Sequence, residues 1–140
     1  MELGTFGAVL KFAMDLETKA LSFYGSATEV ANDNSLASNF DSLFQRGEKR
    51  LKTLERVRRE NTTEMILEPI TGLNPEDYEL EISITKSMSK ENLQKIAVAI
   101  EDKLRKYYTD AATKIEFLIE AASVFEQLAD ENEEAAEGLS

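Results

Sequence analysis

Any chemistry in this chain has to come from carboxylates. Its 140 residues include no histidine and no cysteine. That removes the commonest metal ligand, the commonest general base at neutral pH, thiolate nucleophiles, disulfides and iron–sulfur clusters. Four polar residues stand where the apolar pattern asks for hydrophobic ones: Glu17, Arg50, Glu101 and Asn132. Two buried carboxylates that face each other repel unless a proton or a cation lies between them. The sequence offers two such cations, a bound metal ion or the guanidinium of Arg50.

These residues belong to four stretches in which apolar and small side chains alternate at spacings of four and three, the signature of a helix with one buried stripe. The first runs Leu3, Phe6, Leu10, Ala13, Glu17, Ala20, Tyr24, Ala27, Ala31 and stops at the turn-forming Asn32-Asp33-Asn34. The second reads Leu36, Phe40, Leu43, Gly47, Arg50, Leu54, Val57, with Ser35 expected as its N-cap, and fades near Asn61. The third, capped by Ser89, reads Leu93, Ala97, Glu101, Leu104, Tyr108, Ala111, Ile115, and the fourth Leu118, Ala121, Phe125, Leu128, Asn132, Ala135, Leu139. No Gly or Pro separates the last two. Their break between Thr113 and Leu118 is inferred from an internal repeat, and one uninterrupted helix is the competing reading.

The expected fold is all-α: one domain over 1–140, with a helix pair over about 3–61, a crossover over about 62–88 and a second pair over about 89–139. Pro69, Gly72 and Pro75 punctuate the crossover, and Asn74-Pro75-Glu76-Asp77 suits a short helical turn. Leu80, Ile82 and Ile84 alternate with polar residues, which suggests a brief extended piece. A connection this long fits a four-helix bundle with a crossover.

The two pairs resemble each other. Glu17-Thr18-Lys19-Ala20-Leu21-Ser22-Phe23-Tyr24 recurs as Glu101-Asp102-Lys103-Leu104-Arg105-Lys106-Tyr107-Tyr108, and Phe40-Asp41-Ser42-Leu43-Phe44 matches Phe125-Glu126-Gln127-Leu128-Ala129. This tandem helix pair resembles the rubrerythrin branch of the ferritin-like superfamily over nearly the whole chain. The resemblance implies a ferritin-like bundle that holds two irons with a Glu from the first helix of each pair and a Glu-x-x-His from the second. Glu17 and Glu101 match the first-helix metal ligands. The Glu-x-x-His positions fall on Gly47 and Arg50 in one half, and on Asn132 and Ala135 in the other. The rubredoxin-like iron domain of full rubrerythrins has no counterpart in this sequence. A register slip would bring Glu48, Glu131 or Glu134 in as extra metal ligands.

Three functions follow as expectations. The first is a non-catalytic bundle with a vestigial metal site, acting as a structural or interaction protein, with no cofactor and with Arg50 as counter-charge to Glu17 and Glu101. The second is a carboxylate-bridged diiron protein with oxidase, peroxidase or iron-handling activity. The third is a small-ligand binder that uses the core cavity with Arg50 turned away. Whether the chain is an enzyme stays open, the first reading being that it is not. Tyr24, Tyr107 and Tyr108 are expected to pack their rings in the core and hydrogen-bond their hydroxyls, and Met14, Met65 and Met88 to serve as packing. Gly47 either permits a close helix approach or fills a lost ligand position.

The net charge of −11 argues against nucleic acid. That charge is polarised. Arg46, Lys49, Arg50, Lys52, Arg56, Arg58 and Arg59 make one segment basic, while Glu126 to Glu137 is acidic. The two faces are expected to attract each other within the fold or across a homodimer, and an acidic tail that recruits a basic partner is the alternative. No segment has the ~20 apolar residues of a membrane span. Met1-Glu2-Leu3-Gly4 opens no secretory signal. A cytoplasmic location is the corresponding expectation.

Overall fold

Apolar stripes of this length need helices that bury one face each, and four such helices form among the described residues. A computed structural model of the chain describes residues 2–64 and 69–139, so Met65 and part of the crossover lie outside the described residues. The helices are α1 (Phe6–Val30), α2 (Asn34–Glu60), α3 (Lys90–Lys114) and α4 (Ile119–Leu139), and no strand occurs among the described residues.

Side chains fix three of the starts. Thr5 caps α1 by accepting the Ala8 N–H at 3.1 Å, and Ser89 caps α3 by accepting the Asn92 N–H at 3.2 Å. The cap of α2 is Asp33 rather than the expected Ser35. Its Oδ1 accepts the Leu36 N–H at 2.9 Å, so the helix begins two residues early. A carboxylate there also complements the positive end of the helix dipole, and that bond together with Lys90 holds the Asp33 carboxyl below its usual range.

One uninterrupted helix over α3 and α4 does not form. The Ile115 N–H still reaches Ala111 O at 3.0 Å, but the Leu118 N–H turns back to Ile115 O at 2.8 Å. Ile115 is fully buried while Ile119 is 80% exposed, so an anchored side chain makes the turn without Gly or Pro.

Short connections make α1–α2 and α3–α4 antiparallel pairs. The Tyr107 hydroxyl donates to Val9 O at 2.6 Å, and Lys90 meets Asp33 at 3.1 Å, so α3 runs antiparallel to α1. Arg46 meets Glu134 and Arg50 meets Glu131, so α2 and α4 are also antiparallel. It follows that α2 and α3 are parallel, and their connection has to travel the length of the bundle.

That connection is tied down where it is described. Leu3 N–H donates to Leu73 O at 2.8 Å and Ile70 N–H to Gly4 O at 2.9 Å. Gly72 has φ +88°, a conformation that favours glycine, and a Cβ there would also meet the end of Lys114. Pro75–Tyr78 forms the expected short turn, and it buries Tyr78 edge-on against Tyr107. Leu80, Ile82 and Ile84 pack against the core on alternate positions, but they pair with no strand. The alternation there records one-sided burial rather than a sheet.

Met14 and Met88 are partly buried against the same core. Gly47 permits a close approach: a Cβ at this position would come within 2.8 Å of Leu21 Cδ2.

Candidate functional site

Each helix sends one polar side chain into the shared core. Glu17 comes from α1, Arg50 from α2, Glu101 from α3 and Asn132 from α4, and their exposures are 0, 2, 0 and 0%. All four lie on the inward stripe of their helix, at the spacings that otherwise carry Leu, Ala and Phe. The antiparallel registers of α1 with α3 and of α2 with α4 bring them to one depth.

The guanidinium of Arg50 lies between the acids. Its Nη1 is 3.6 Å from Glu17 Oε1, its Nη2 is 3.7 Å from Glu101 Oε1, and its Nε is 3.5 Å from Glu131 Oε1. These are ion-pair distances, longer than the ~2.7–2.9 Å of a close charge-assisted hydrogen bond. Burial disfavours the Arg50 charge, but Glu17, Glu101, Tyr108 and Glu131 outweigh it and hold the group protonated.

The close bonds come from neutral donors. The Tyr24 hydroxyl donates to Glu101 Oε2 at 2.6 Å, the Tyr108 hydroxyl donates to Glu17 Oε2 at 2.6 Å, and Asn132 Nδ2 donates to Glu101 Oε1 at 2.9 Å. Glu101 therefore has two hydrogen bonds and an ion pair, whereas Glu17 has one of each. Burial pushes the Glu17 carboxyl up to about 7, and repulsion from Glu101 adds to this while Arg50 and Tyr108 oppose it. Tyr24 and Tyr108 are held well above the usual phenol range, first by burial and then by the carboxylates they face. Tyr107 stands apart from the acids, stacks edge-on with Tyr108 and Phe12, and is raised by burial.

The remaining acidic residues divide. Glu131, half exposed, joins the cluster because Arg50 Nε faces out of the core toward α4. Glu134 lies outside it and pairs with Arg46 at 3.8 Å, and Glu48 is exposed on α2, away from the cluster. Among the described residues, no group of three or more Asp, Glu, His or Cys side chains is arranged to hold a metal ion. Arg50 is turned toward Glu17 and Glu101, the opposite of what a ligand cavity between them requires.

Sequence reasoning did not pair the tyrosines with the acids. Glu17…Tyr24 and Glu101…Tyr108 share a seven-residue spacing, but each tyrosine bonds the acid of the other helix. The repeated spacing was the available signal, and the crossing becomes visible once α1 and α3 are known to be antiparallel. No protein-family model matches the chain, and no curated protein and no solved structure matches it either.

Proposed function

We propose that the chain is a ferritin-like bundle of rubrerythrin type whose metal centre has been replaced by an arginine-centred ion cluster, and that it works as a non-catalytic structural or interaction protein. The observation that carries this reading is the Arg50 guanidinium, within 3.7 Å of both Glu17 and Glu101. It supplies the positive charge that two facing carboxylates need, and a metal ion beside it would meet a fixed like charge. The donor set argues the same way, since Gly47, Asn132 and Ala135 offer no anionic ligand.

The reading is tested by incubating the purified protein aerobically with ferrous iron, desalting it and measuring iron by elemental analysis. Iron no higher than background is expected. About two irons per chain, the complement of a carboxylate-bridged centre, would replace this reading with the diiron one.

The interaction we assign first is with a second copy. After the internal Arg46–Glu134, Arg50–Glu131 and Arg56–Glu60 pairs are made, Lys49, Lys52 and Arg59 remain exposed on α2, and Glu126, Asp130 and Glu133 on α4. The two faces are complementary in charge, which supports a homodimer. Among the described residues no helix is long and apolar enough to cross a membrane.

A further inference from the structure

The chain has four tyrosines and neither tryptophan nor cysteine. A single electron is therefore lost most readily from tyrosine, because methionine oxidises by taking up oxygen to form the sulfoxide. Loss of an electron makes a phenol O–H strongly acidic, so the electron leaves readily only where the proton has an acceptor. All four hydroxyls donate at 2.6 Å: Tyr24 to Glu101, Tyr108 to Glu17, Tyr107 to Val9 O and Tyr78 to Asp110 Oδ2. That is within reach of proton transfer.

Three of the rings form a line. Tyr108 meets Tyr107 edge-on with centroids 5.7 Å apart, and Tyr107 meets Tyr78 edge-on at 5.1 Å. The line starts at the ion cluster and ends on the crossover turn Pro75–Tyr78. The other half of the internal repeat builds no such line. Phe23 stands where the second half has Tyr107, and the rings that Tyr24 meets are those of Phe23 and Phe40.

The acceptors along the line differ. Glu17 is fully buried and lies against Arg50. Val9 O is a backbone carbonyl and cannot keep a proton. Asp110 is half-buried, so a proton that it receives can pass to water. Lys106 lies over the Tyr78 ring, 5.4 Å from its centroid, and opposes positive charge there. Burial, and then Asp110, hold the Tyr78 phenol well above its usual range. It stays protonated until it is oxidised, and electron and proton leave together.

We propose that Tyr108, Tyr107 and Tyr78 form a one-electron relay from the core to the surface, through which the protein donates an electron to an outer-sphere one-electron oxidant. The oxidant gains one electron, the Tyr78 O–H bond breaks, and its proton goes to Asp110 Oδ2, leaving a neutral phenoxyl radical. A vacancy that starts on Tyr108 or Tyr107 is filled by an electron from the next ring outward, and that hydroxyl takes back its own proton. The radical therefore comes to rest on Tyr78, whatever occupies the centre between Glu17 and Glu101.

The test is oxidation of the intact chain by azide radicals from pulse radiolysis, read by optical decay and by electron paramagnetic resonance of frozen samples, with folding checked by circular dichroism. The native protein is expected to give one long-lived neutral tyrosyl signal that forms more slowly in D2O than in H2O. Tyr78→Phe should lose most of that signal. Tyr107→Phe should add a second, separate signal from Tyr108. Asp110→Asn keeps an oxygen acceptor that cannot take the proton, and should lower the yield and abolish the slowing in D2O. If Tyr78→Phe does not fold, Asp110→Asn decides. No tyrosyl signal, a native signal in folded Tyr78→Phe, or an unchanged yield and D2O effect in Asp110→Asn overturns the relay.

Discussion

The Tyr24 hydroxyl donates to Glu101 Oε2 at 2.6 Å, joining residues 77 positions apart, and Tyr108 and Glu17 repeat the bond in mirror fashion. Each tyrosine follows a glutamate by seven residues on its own helix and bonds the glutamate of the other. The crossed pair locks α1 against α3 and satisfies one oxygen of each buried carboxylate.

Removing either hydroxyl should therefore leave a buried carboxylate oxygen bare. Tyr24→Phe and Tyr108→Phe are each expected to lower stability by about 1.5–3 kcal/mol, the range for hydrogen bonds to charged groups. Urea unfolding measures both. The double variant should depart from additivity, because the two acids share Arg50. Additive losses below the range for both variants would show that the bonds contribute little.

Glu17 sets a pH dependence whose sign follows from its raised carboxyl, about 7 in the fold against an ordinary value of 4.5. Between those values the folded state holds a proton that the unfolded state releases. The contribution to stability is full below 4.5 and is lost as the pH rises through about 7. It amounts to roughly 3 kcal/mol at about 1.4 kcal/mol per unit. Glu17→Gln keeps the shape of the protonated side chain and cannot titrate. Native stability relative to this variant should thus fall from about pH 4.5 to pH 8, and denaturant midpoints across that range are the measurement. A constant difference would rule the linkage out.

Glu131 should behave differently from the buried acids although it touches the same arginine. Its side chain is 43% exposed against 3% for Arg50, so water screens the Glu131 end of the pair, and such screening holds an ion pair to about 1 kcal/mol. Glu131→Gln is expected to cost no more than that, and the difference should shrink as salt is added. Thermal melts at low and high salt would reveal it. A large, salt-independent loss would mean that Glu131 belongs to the desolvated core.

The exposed cations of α2 and acids of α4 predict a homodimer held by charge. Light scattering coupled to size exclusion should report twice the chain mass of 15.7 kDa at low ionic strength, with dissociation as salt rises. A monomer under both conditions would remove the dimer.

How much of this was legible in the sequence depended on whether the information was local. Glu17, Arg50, Glu101 and Asn132 stand out because each breaks an apolar stripe on its own helix, and helical period alone places them inward. The Ser89 cap and the Pro75 turn are equally local. Asp33 was hidden inside a run that reads as a turn, and its capping role competes with that of the neighbouring Ser35. The α3–α4 break has no Gly or Pro and shows only through the internal repeat. The Tyr24–Glu101 and Tyr108–Glu17 bonds depend on the register between helices, which no single helix encodes. Glu131 lies beside its stripe, and it joins the cluster because the Arg50 side chain is long enough to reach outward.

The most direct measurement is the thermal and urea stability of Arg50→Leu, alone and together with Glu17→Gln and Glu101→Gln. If Arg50 is the counter-charge of the core, the single change, measured above the value of about 7 to which the Glu17 carboxyl is raised, should cost about 3–5 kcal/mol, since it leaves two buried carboxylates uncompensated. Neutralising both acids in the same chain should then recover most of that loss. An Arg50→Leu protein as stable as the native one would contradict the ion cluster as the replacement for a metal centre.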